Sequence, residues 1–249
     1  MKIVLVRHAE PDYSIDSLTE KGHVEAELLS RRLSKLNVRD FYVSPKGRAQ
    51  KTAEYTLKKM NRTAETLPWL AEFRGHAVNP DTGIDRIPWD YRPRTWASHP
   101  KVWSVDTWAD DEMYAGGNVK EIWEETKAGV DDLLGRYGYR KDGPVWLCDN
   151  NTDDTLVLFC HFGISMVIMG YLCDISPVVL WHRCCMQPSS VTTIITEERI
   201  KGEVSFRTIM MGDISHLNEA GERYSTAGLY PEVYTGRDST DPPEWDHKK

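Results

Sequence analysis

The stretch IVLVRH at residues 3–8 and its counterpart LVLFCH at residues 156–161 decide the fold of this chain. Each begins as a short apolar run and ends at a polar residue, which is typical of a strand buried in a sheet. In an open α/β sheet, ligands bind just beyond the carboxyl ends of the strands. The sequence therefore predicts that Arg7, His8 and His161 lie at one binding edge, where they suit an anion and a nucleophilic imidazole.

Strand and helix patterns alternate along the rest of the chain. Strands are predicted at residues 2–6, 40–43, 63–67 and 155–160, and a hairpin of strands 191–196 and 203–210 is predicted at one sheet edge. Helices are predicted at about residues 19–36, 45–60, 118–137 and 164–172. Such alternation indicates an α/β protein with a mainly parallel sheet covered by helices on both faces.

Local signals predict how the first two helices begin. The stretch SLTE at residues 17–20 resembles a capping box, and Ser44 followed by Pro45 indicates an N-cap and a first helical proline. The first helix should bury one apolar stripe. Its members are Val24, Leu28, Leu29, Leu33 and Leu36.

Residues 74–117 interrupt this pattern with many prolines and tryptophans. A long irregular stretch inside a compact domain is usually a functional lid or a linker, and this tryptophan content argues against disorder. We expect an ordered cap with short helices, inserted into a single domain at residues 1–217 and followed by a surface-packed or flexible tail at 218–249. The cap cations could meet a second phosphate or a carboxylate, although such arginines are more often solvated. They are Arg74, His76, Arg86, Arg92 and Arg94.

Composition narrows the class of partner. The formal net charge of -7 argues weakly against a nucleic-acid binder, which needs a basic face. The five cysteines show no C-x-x-C spacing, so neither a zinc site nor a disulfide framework is indicated. With no leader-like segment and no apolar run near ~18 residues, we expect a cytoplasmic protein without a membrane partner.

Five residues form the candidate site. His8 could attack a phosphoryl group, Arg7, Arg48 and His161 could hold its oxygens, and Glu72 could protonate the leaving oxygen. Arg48 falls in the first turn of a predicted helix, where an anion would offset its unfavourable charge. Taken singly, His8 is more often a structural histidine and Glu72 more often a surface carboxylate, whereas Arg48 is as often a solvated arginine as a site residue. The combination, at strand ends and the loops after them, favours a site.

The chain resembles the histidine phosphatase superfamily, branch 1, also called the phosphoglycerate mutase-like family. The matching pieces follow the family's order: LVRHAE at 5–10, SPKGRAQKTA at 44–53, LAE at 70–72, FCHFG at 159–163 and GDISHL at 212–217. The resemblance implies a three-layer α/β/α sandwich, a phosphohistidine on His8, a pocket of Arg7, Arg48 and His161, and Glu72 as general acid. It implies no metal and no cofactor.

Departures from the family pattern refine this expectation. Ala9 stands where the family usually has glycine, a small change that the pocket should survive. The mutases carry Ser or Thr and then Asn further on, where this chain has PDYS at residues 11–14, so hydrolysis is favoured over isomerisation. Tyr13 and Ser14 are further candidates for substrate contact. Because Phe162 rather than Asp follows His161, the acid should be Glu72, with Glu10 or Asp12 as less favoured substitutes.

The sequence thus predicts a phosphatase acting on a small phosphomonoester. Two alternatives stay open: a phosphoglycerate-type phosphomutase, and a non-catalytic phospho-ligand binding module. The sequence does not identify the phosphorylated substrate. It does not determine the oligomeric state either, and it is compatible with a homodimer.

Overall fold

The computed structural model describes residues 1–236, and its centre is one eight-stranded sheet. The strands in chain order are β1 (Lys2–Arg7), β2 (Pro11–Asp12), β3 (Ser17–Leu18), β4 (Asp40–Val43), β5 (Glu65–Thr66), β6 (Ala77–Val78), β7 (Asp85–Arg86), β8 (Tyr139–Asp142), β9 (Val145–Cys148), β10 (Thr155–Cys160), β11 (Val191–Ile200) and β12 (Glu203–Asp213).

The central sheet has the strand order β5-β4-β10-β1-β11-β12-β9-β8. Strands β5, β4, β10 and β1 are parallel, whereas the pairings from β1 through β11, β12 and β9 to β8 are antiparallel. Only β11 and β9 therefore run against the common direction, and the predicted mostly parallel sheet is confirmed. The small strands pair separately, β2 with β3 and β6 with β7.

Helices cover both faces of this sheet. They are α1 (Glu20–Leu33), α2 (Gly47–Met60), α3 (Pro93–Ala97), α4 (Val119–Gly135), α5 (Phe162–Cys173), α6 (Pro177–Arg183) and α7 (Ser215–Asn218). Short 3-10 turns at 68–70, 100–103, 108–110 and 112–114 complete the segment between β5 and α4.

The alternating direction of side chains along β1 and β10 explains why helices cover both faces of the sheet and form a three-layer fold. Val4 and Val157 point to one face, where they pack with Leu29 of α1, whereas Leu5 and Leu158 belong to the core on the other face. Successive side chains of a strand point to opposite faces, so continuous apolar runs need cover on both sides. Each fully buried leucine contributes roughly 1.5–3 kcal/mol, and this double burial makes the sandwich the stable arrangement.

The structure corrects how the first two helices begin. Thr19 caps α1 by accepting a hydrogen bond from the Gly22 amide at 3.0 Å, while Ser17 lies in β3. Lys46, not Ser44, precedes α2. Val24 of the predicted stripe is 48% exposed, because the buried face of α1 passes instead through Glu25 and its neighbours.

The predicted β11–β12 hairpin exists but does not lie at the sheet edge. Strands β9 and β8, absent from the prediction, pair beyond it and form that edge. The YRKD sequence of β8 is polar, so it carries no apolar run that would mark a strand. Helix α6 was missed as well, since a proline opens its seven residues and no apolar periodicity can develop.

Residues 74–117 contain short helical turns, as expected for a cap, and the paired strands β6 and β7. Trp96 and Trp108 of this segment are buried in the main core rather than in a small core of their own. The expected tail at 218–249 is described up to residue 236, and its remainder lies outside the described residues. Among residues 1–236, the helices are all too short or too polar to span a bilayer.

Candidate active site

Parallel pairing of β1 with β10 brings the two predicted histidines together. Arg7 pairs with Cys160 in the register of the two strands, so His8 and His161 are the next residues at the same edge. The His8 amide donates to the Cys160 carbonyl at 2.9 Å, and the ring centroids of the two histidines are 5.0 Å apart. The side chains are nearly inaccessible, with His8 2% and His161 0% exposed.

The loop after β1 fixes the His8 ring. Nδ1 of His8 lies 2.8 Å from the Ala9 carbonyl oxygen, which can only accept, so Nδ1 carries the hydrogen. The next amides are held as well: Ala9 donates to Thr52 Oγ1 at 3.0 Å and Glu10 donates to Glu25 Oε2 at 2.8 Å. Nε2 of His8 is therefore the nitrogen with a lone pair.

Burial and neighbouring charge keep both imidazoles neutral. Burial, and then the positive charges of Arg7 and Arg48, hold the pKa of His8 well below its usual range. Burial is also the main cause that lowers the pKa of His161, followed by His8 and the same two arginines. Both arginines therefore act on both histidines.

Ser44 positions His161, although the sequence suggested only a helix cap at this serine. Its Oγ lies 2.7 Å from Nε2 of His161. Nδ1 of His161 is buried and makes no hydrogen bond to any residue that the structure describes. The imidazole thus has one nitrogen engaged with the protein and one left for a ligand.

The two arginines approach from different elements. Arg7, at the end of β1, donates to the Met186 carbonyl. Arg48, in the first turn of α2, donates from Nη1 to Asp16 Oδ1 at 2.7 Å, a partner that the sequence analysis missed. Nε of each arginine is buried without a hydrogen bond among residues 1–236. A buried unpaired donor costs roughly 1–3 kcal/mol, which a bound anion would recover.

Glu72 lies between the end of the 68–70 turn and the start of α5. Its Oε1 accepts from the Phe73 amide at 2.9 Å and from the Ile164 amide at 3.0 Å. Burial raises the pKa of the Glu72 carboxyl above its ordinary value, although the two amides oppose this effect. A carboxyl whose pKa is raised keeps its proton to higher pH, which suits a proton donor.

A cavity of about 590 Å³ opens in front of these groups. Arg7, Tyr13, Arg48 and Glu72 line it, and His8 and His161 lie buried behind them. The other lining residues are Ile87, Trp89, Asp90, Phe162, Trp181, Cys184, Cys185, Gly228, Leu229 and Tyr230. Most of these are apolar or aromatic, and none was among the predicted site residues.

Several predicted contacts fall outside this cavity. Ser14 is exposed, and its hydroxyl donates to Asp12 Oδ1 at 2.5 Å instead of lining the cavity. The five cap cations do not line it either. No sequence pattern pointed to residues 228–230, which belong to the polar segment after α7 and line the cavity. Within residues 1–236, no group of three or more His, Cys, Asp or Glu side chains is arranged to hold a metal ion.

Structural comparison identifies related folds. A mutant phosphoserine phosphatase from Entamoeba histolytica, in complex with phosphoserine, superposes with a TM-score of 0.58 at 16% identity, covering 87% of this chain and 98% of that chain. A mycobacterial glucosyl-3-phosphoglycerate phosphatase superposes with a TM-score of 0.56 at 19% identity, covering 85% of this chain and 98% of that one. At such low identities the likeness shows the fold. A search among curated proteins found no match.

The sequence profile of the histidine phosphatase superfamily (branch 1) matches residues 3–206, most of the chain. The predicted three-layer fold is confirmed by the structural relatives. The chain therefore belongs to branch 1 of the histidine phosphatase superfamily, which confirms at family level the phosphomonoester hydrolase predicted from the sequence.

Proposed function

We propose that this protein hydrolyses a small phosphomonoester through a covalent phosphohistidine on His8, in a cytoplasm where its cysteines stay reduced. One observation carries the proposal: three buried nitrogens that have no hydrogen-bond partner within residues 1–236 belong to the side chains around His8, and they are Nε of Arg7, Nε of Arg48 and Nδ1 of His161. Such a set favours an oxyanion next to an unprotonated imidazole.

In the first step, Nε2 of His8 attacks phosphorus and the bond from phosphorus to the ester oxygen breaks. The negative charge on the phosphoryl oxygens is offset by Arg7 and Arg48, which lie in a buried site where their charge is weakly screened. Because Oε1 of Glu72 takes both amide hydrogen bonds, Oε2 is the oxygen that carries a proton to the departing alkoxide.

In the second step, the Glu72 carboxylate takes a proton from water while the water oxygen attacks the phosphohistidine. The bond between phosphorus and Nε2 breaks, inorganic phosphate leaves, and His8 and Glu72 return to their starting states. The hydrogen bond from Nδ1 to the Ala9 carbonyl keeps His8 in one tautomer through both steps.

Hydrolysis is favoured over isomerisation by two facts. The PDYS stretch at residues 11–14 lacks the residues that the mutases carry there. The structural relatives are themselves described as phosphatases, one acting on phosphoserine and one on glucosyl-3-phosphoglycerate.

The test is capture of the phosphoenzyme. Protein mixed with a ³²P-labelled aryl phosphate and quenched in alkali should carry label that acid removes, and His8→Ala should carry none and lose at least about 10⁴-fold in turnover. His76→Ala, an exposed histidine outside the cavity, is the matched control and should keep wild-type turnover.

The alternatives give different results in the same experiment. A phosphomutase would form isomerised product and little free phosphate, and a binding module would bind phosphate without becoming labelled. Near-normal turnover by folded His8→Ala would refute the proposal.

A further inference from the structure

We propose that the alcohol portion of the substrate is apolar or aromatic and carries no second anionic group. The inference rests on the proposed phosphatase function and names the class of phosphomonoester that the cavity accepts. It is carried by the side chains that line the cavity next to the phosphate-binding groups.

Four aromatic and two aliphatic side chains line the cavity and are called the aromatic wall here. They are Tyr13, Ile87, Trp89, Phe162, Trp181 and Leu229. The Trp89 and Trp181 rings lie 5.5 Å apart between centroids, and the Trp89 and Phe162 rings meet edge to face at 6.3 Å. Apolar cavities of a few hundred Å³ or more bind ligands by removing apolar surface from water. A volume of about 590 Å³ leaves room for much more than a phosphoryl group.

The wall begins directly beside the phosphate-binding arginines. The Arg7 guanidinium lies 5.8 Å from the centroid of the Phe162 ring, and that of Arg48 lies 5.3 Å from the centroid of the Tyr13 ring. If these arginines hold the phosphate, the alcohol portion of the substrate begins next to the Phe162 and Tyr13 rings. The atoms of that portion that contact these rings would be carbon atoms rather than polar groups.

Packing around α5 holds the wall in place before any substrate arrives. Trp181 donates from Nε1 to the Gly163 carbonyl at 3.0 Å and is itself buried. Trp89 approaches Gly163 so closely that an added Cβ would lie 2.7 Å from its ring. A wall fixed in this way loses little side-chain entropy when it binds a ligand.

Charge in the cavity disfavours a second anion. Among the described lining residues, the only cations are Arg7 and Arg48, both next to His8, and the Asp90 carboxylate also lines the space. The cap cations do not line it, and three of them pair with carboxylates: Arg86 lies 3.9 Å from Asp90. Arg74 pairs with Glu125 at 2.6 Å, and His76 with Asp85 at 2.7 Å.

The experiment compares alcohol groups of increasing apolar area. Phosphate release is measured for ethyl, butyl and hexyl phosphate, whose leaving alkoxides are chemically alike, and for O-phosphoserine, whose alcohol portion carries a carboxylate together with an ammonium group. Each methylene that enters the cavity should raise kcat/KM about fourfold. We expect at least a tenfold rise from ethyl to hexyl phosphate and a lower value for O-phosphoserine than for butyl phosphate.

Two variants test whether the aromatic wall causes the rise in kcat/KM with alkyl chain length. Trp89→Ala and Leu229→Ala should each reduce the ratio of kcat/KM for hexyl phosphate to that for ethyl phosphate by at least threefold. They lie in the cap and in the segment after α7, so one of them tests the inference even if the other does not fold. Trp103→Ala, a half-exposed cap tryptophan outside the cavity, should leave the whole series unchanged.

A binding measurement separates this inference from the proposed function. By titration calorimetry, wild-type protein should bind hexylphosphonate, which cannot be hydrolysed, at least tenfold more tightly than ethylphosphonate. Preferential binding without turnover of any ester would support the apolar site and refute the phosphatase. A flat series with O-phosphoserine as the best substrate would overturn the inference and leave the phosphatase intact.

Discussion

The anion pocket (Arg7, His8, Arg48 and His161) and the aromatic wall lie side by side but are built differently. The pocket side chains follow β1, β10 and β4, where hydrogen bonds between strands fix the backbone. The wall comes largely from irregular segments, including the cap and the stretch after α7. The chemistry is thus fixed by the sheet, whereas the choice of substrate depends on side chains that loops present.

The two regions also act through different forces. In the pocket, buried charges act on the phosphoryl group, which every substrate shares, so their effect should be common to all substrates. The wall acts through apolar area, so its effect should grow with the size of the alcohol group. This difference predicts distinct patterns of loss when either region is changed.

Arg48→Ala should cause a large loss that is the same for every ester. Removing this guanidinium takes away charge next to the phosphoryl oxygens, so kcat/KM should fall by about 10²–10³-fold, and by the same factor for ethyl, hexyl and aryl phosphates. Steady-state phosphate release across these three esters is the measurement. Arg94→Ala, an exposed cap arginine outside the cavity, is the control. A loss that grew with the size of the alcohol would contradict the division between pocket and wall.

The loss of activity in Glu72→Gln should depend on the leaving group of the substrate. An alkoxide needs a proton as it departs and 4-nitrophenolate does not, so kcat/KM should fall about 10²–10⁴-fold for ethyl phosphate and far less for 4-nitrophenyl phosphate. The loss should not depend on apolar area, in contrast to changes in the wall. An equal loss for both esters would assign proton donation to another group.

The same variant changes the pH profile in a defined direction. Activity needs neutral His8, whose pKa is lowered, and protonated Glu72, whose pKa is raised. For the wild type, kcat/KM should rise with pH as His8 loses its proton and fall at higher pH as Glu72 loses its own. Glu72→Gln should keep the rise and lose the fall in ethyl phosphate hydrolysis. A profile identical to that of the wild type would exclude this role for Glu72.

The pocket could be predicted from sequence because strand ends carry strong local signals. Apolar runs closed by Arg7-His8 and by His161 indicate both the strands and the edge where they end. The aromatic wall could not be predicted from sequence. Trp89 and Leu229 reach the cavity through tertiary packing, which leaves no pattern of apolar residues in the sequence. Ser44 shows the same limit: a serine before proline suggests a helix cap, yet its hydroxyl meets His161 at the end of the neighbouring strand.

Gly163 lies where the pocket and the wall meet, and Gly163→Ala should disturb both. An added Cβ would lie 2.7 Å from the Trp89 ring and 2.8 Å from Glu72 Oε1, so both side chains must move. Stability should fall by about 1–3 kcal/mol from overpacking, because the helix preference of alanine offsets this cost only in part. Activity should fall roughly tenfold for ethyl phosphate, since the acid moves, and further for hexyl phosphate, since the wall moves too.

Gly135→Ala, at the end of α4, is the matched control, because an added Cβ there meets nothing within 4 Å. Thermal unfolding and phosphate release should show Gly135→Ala unchanged in activity. If Gly163→Ala lowered ethyl and hexyl phosphate hydrolysis equally, Trp89 would not be part of the binding surface. If neither ester were affected, the close approach of Glu72 and Trp89 to α5 would have no bearing on turnover.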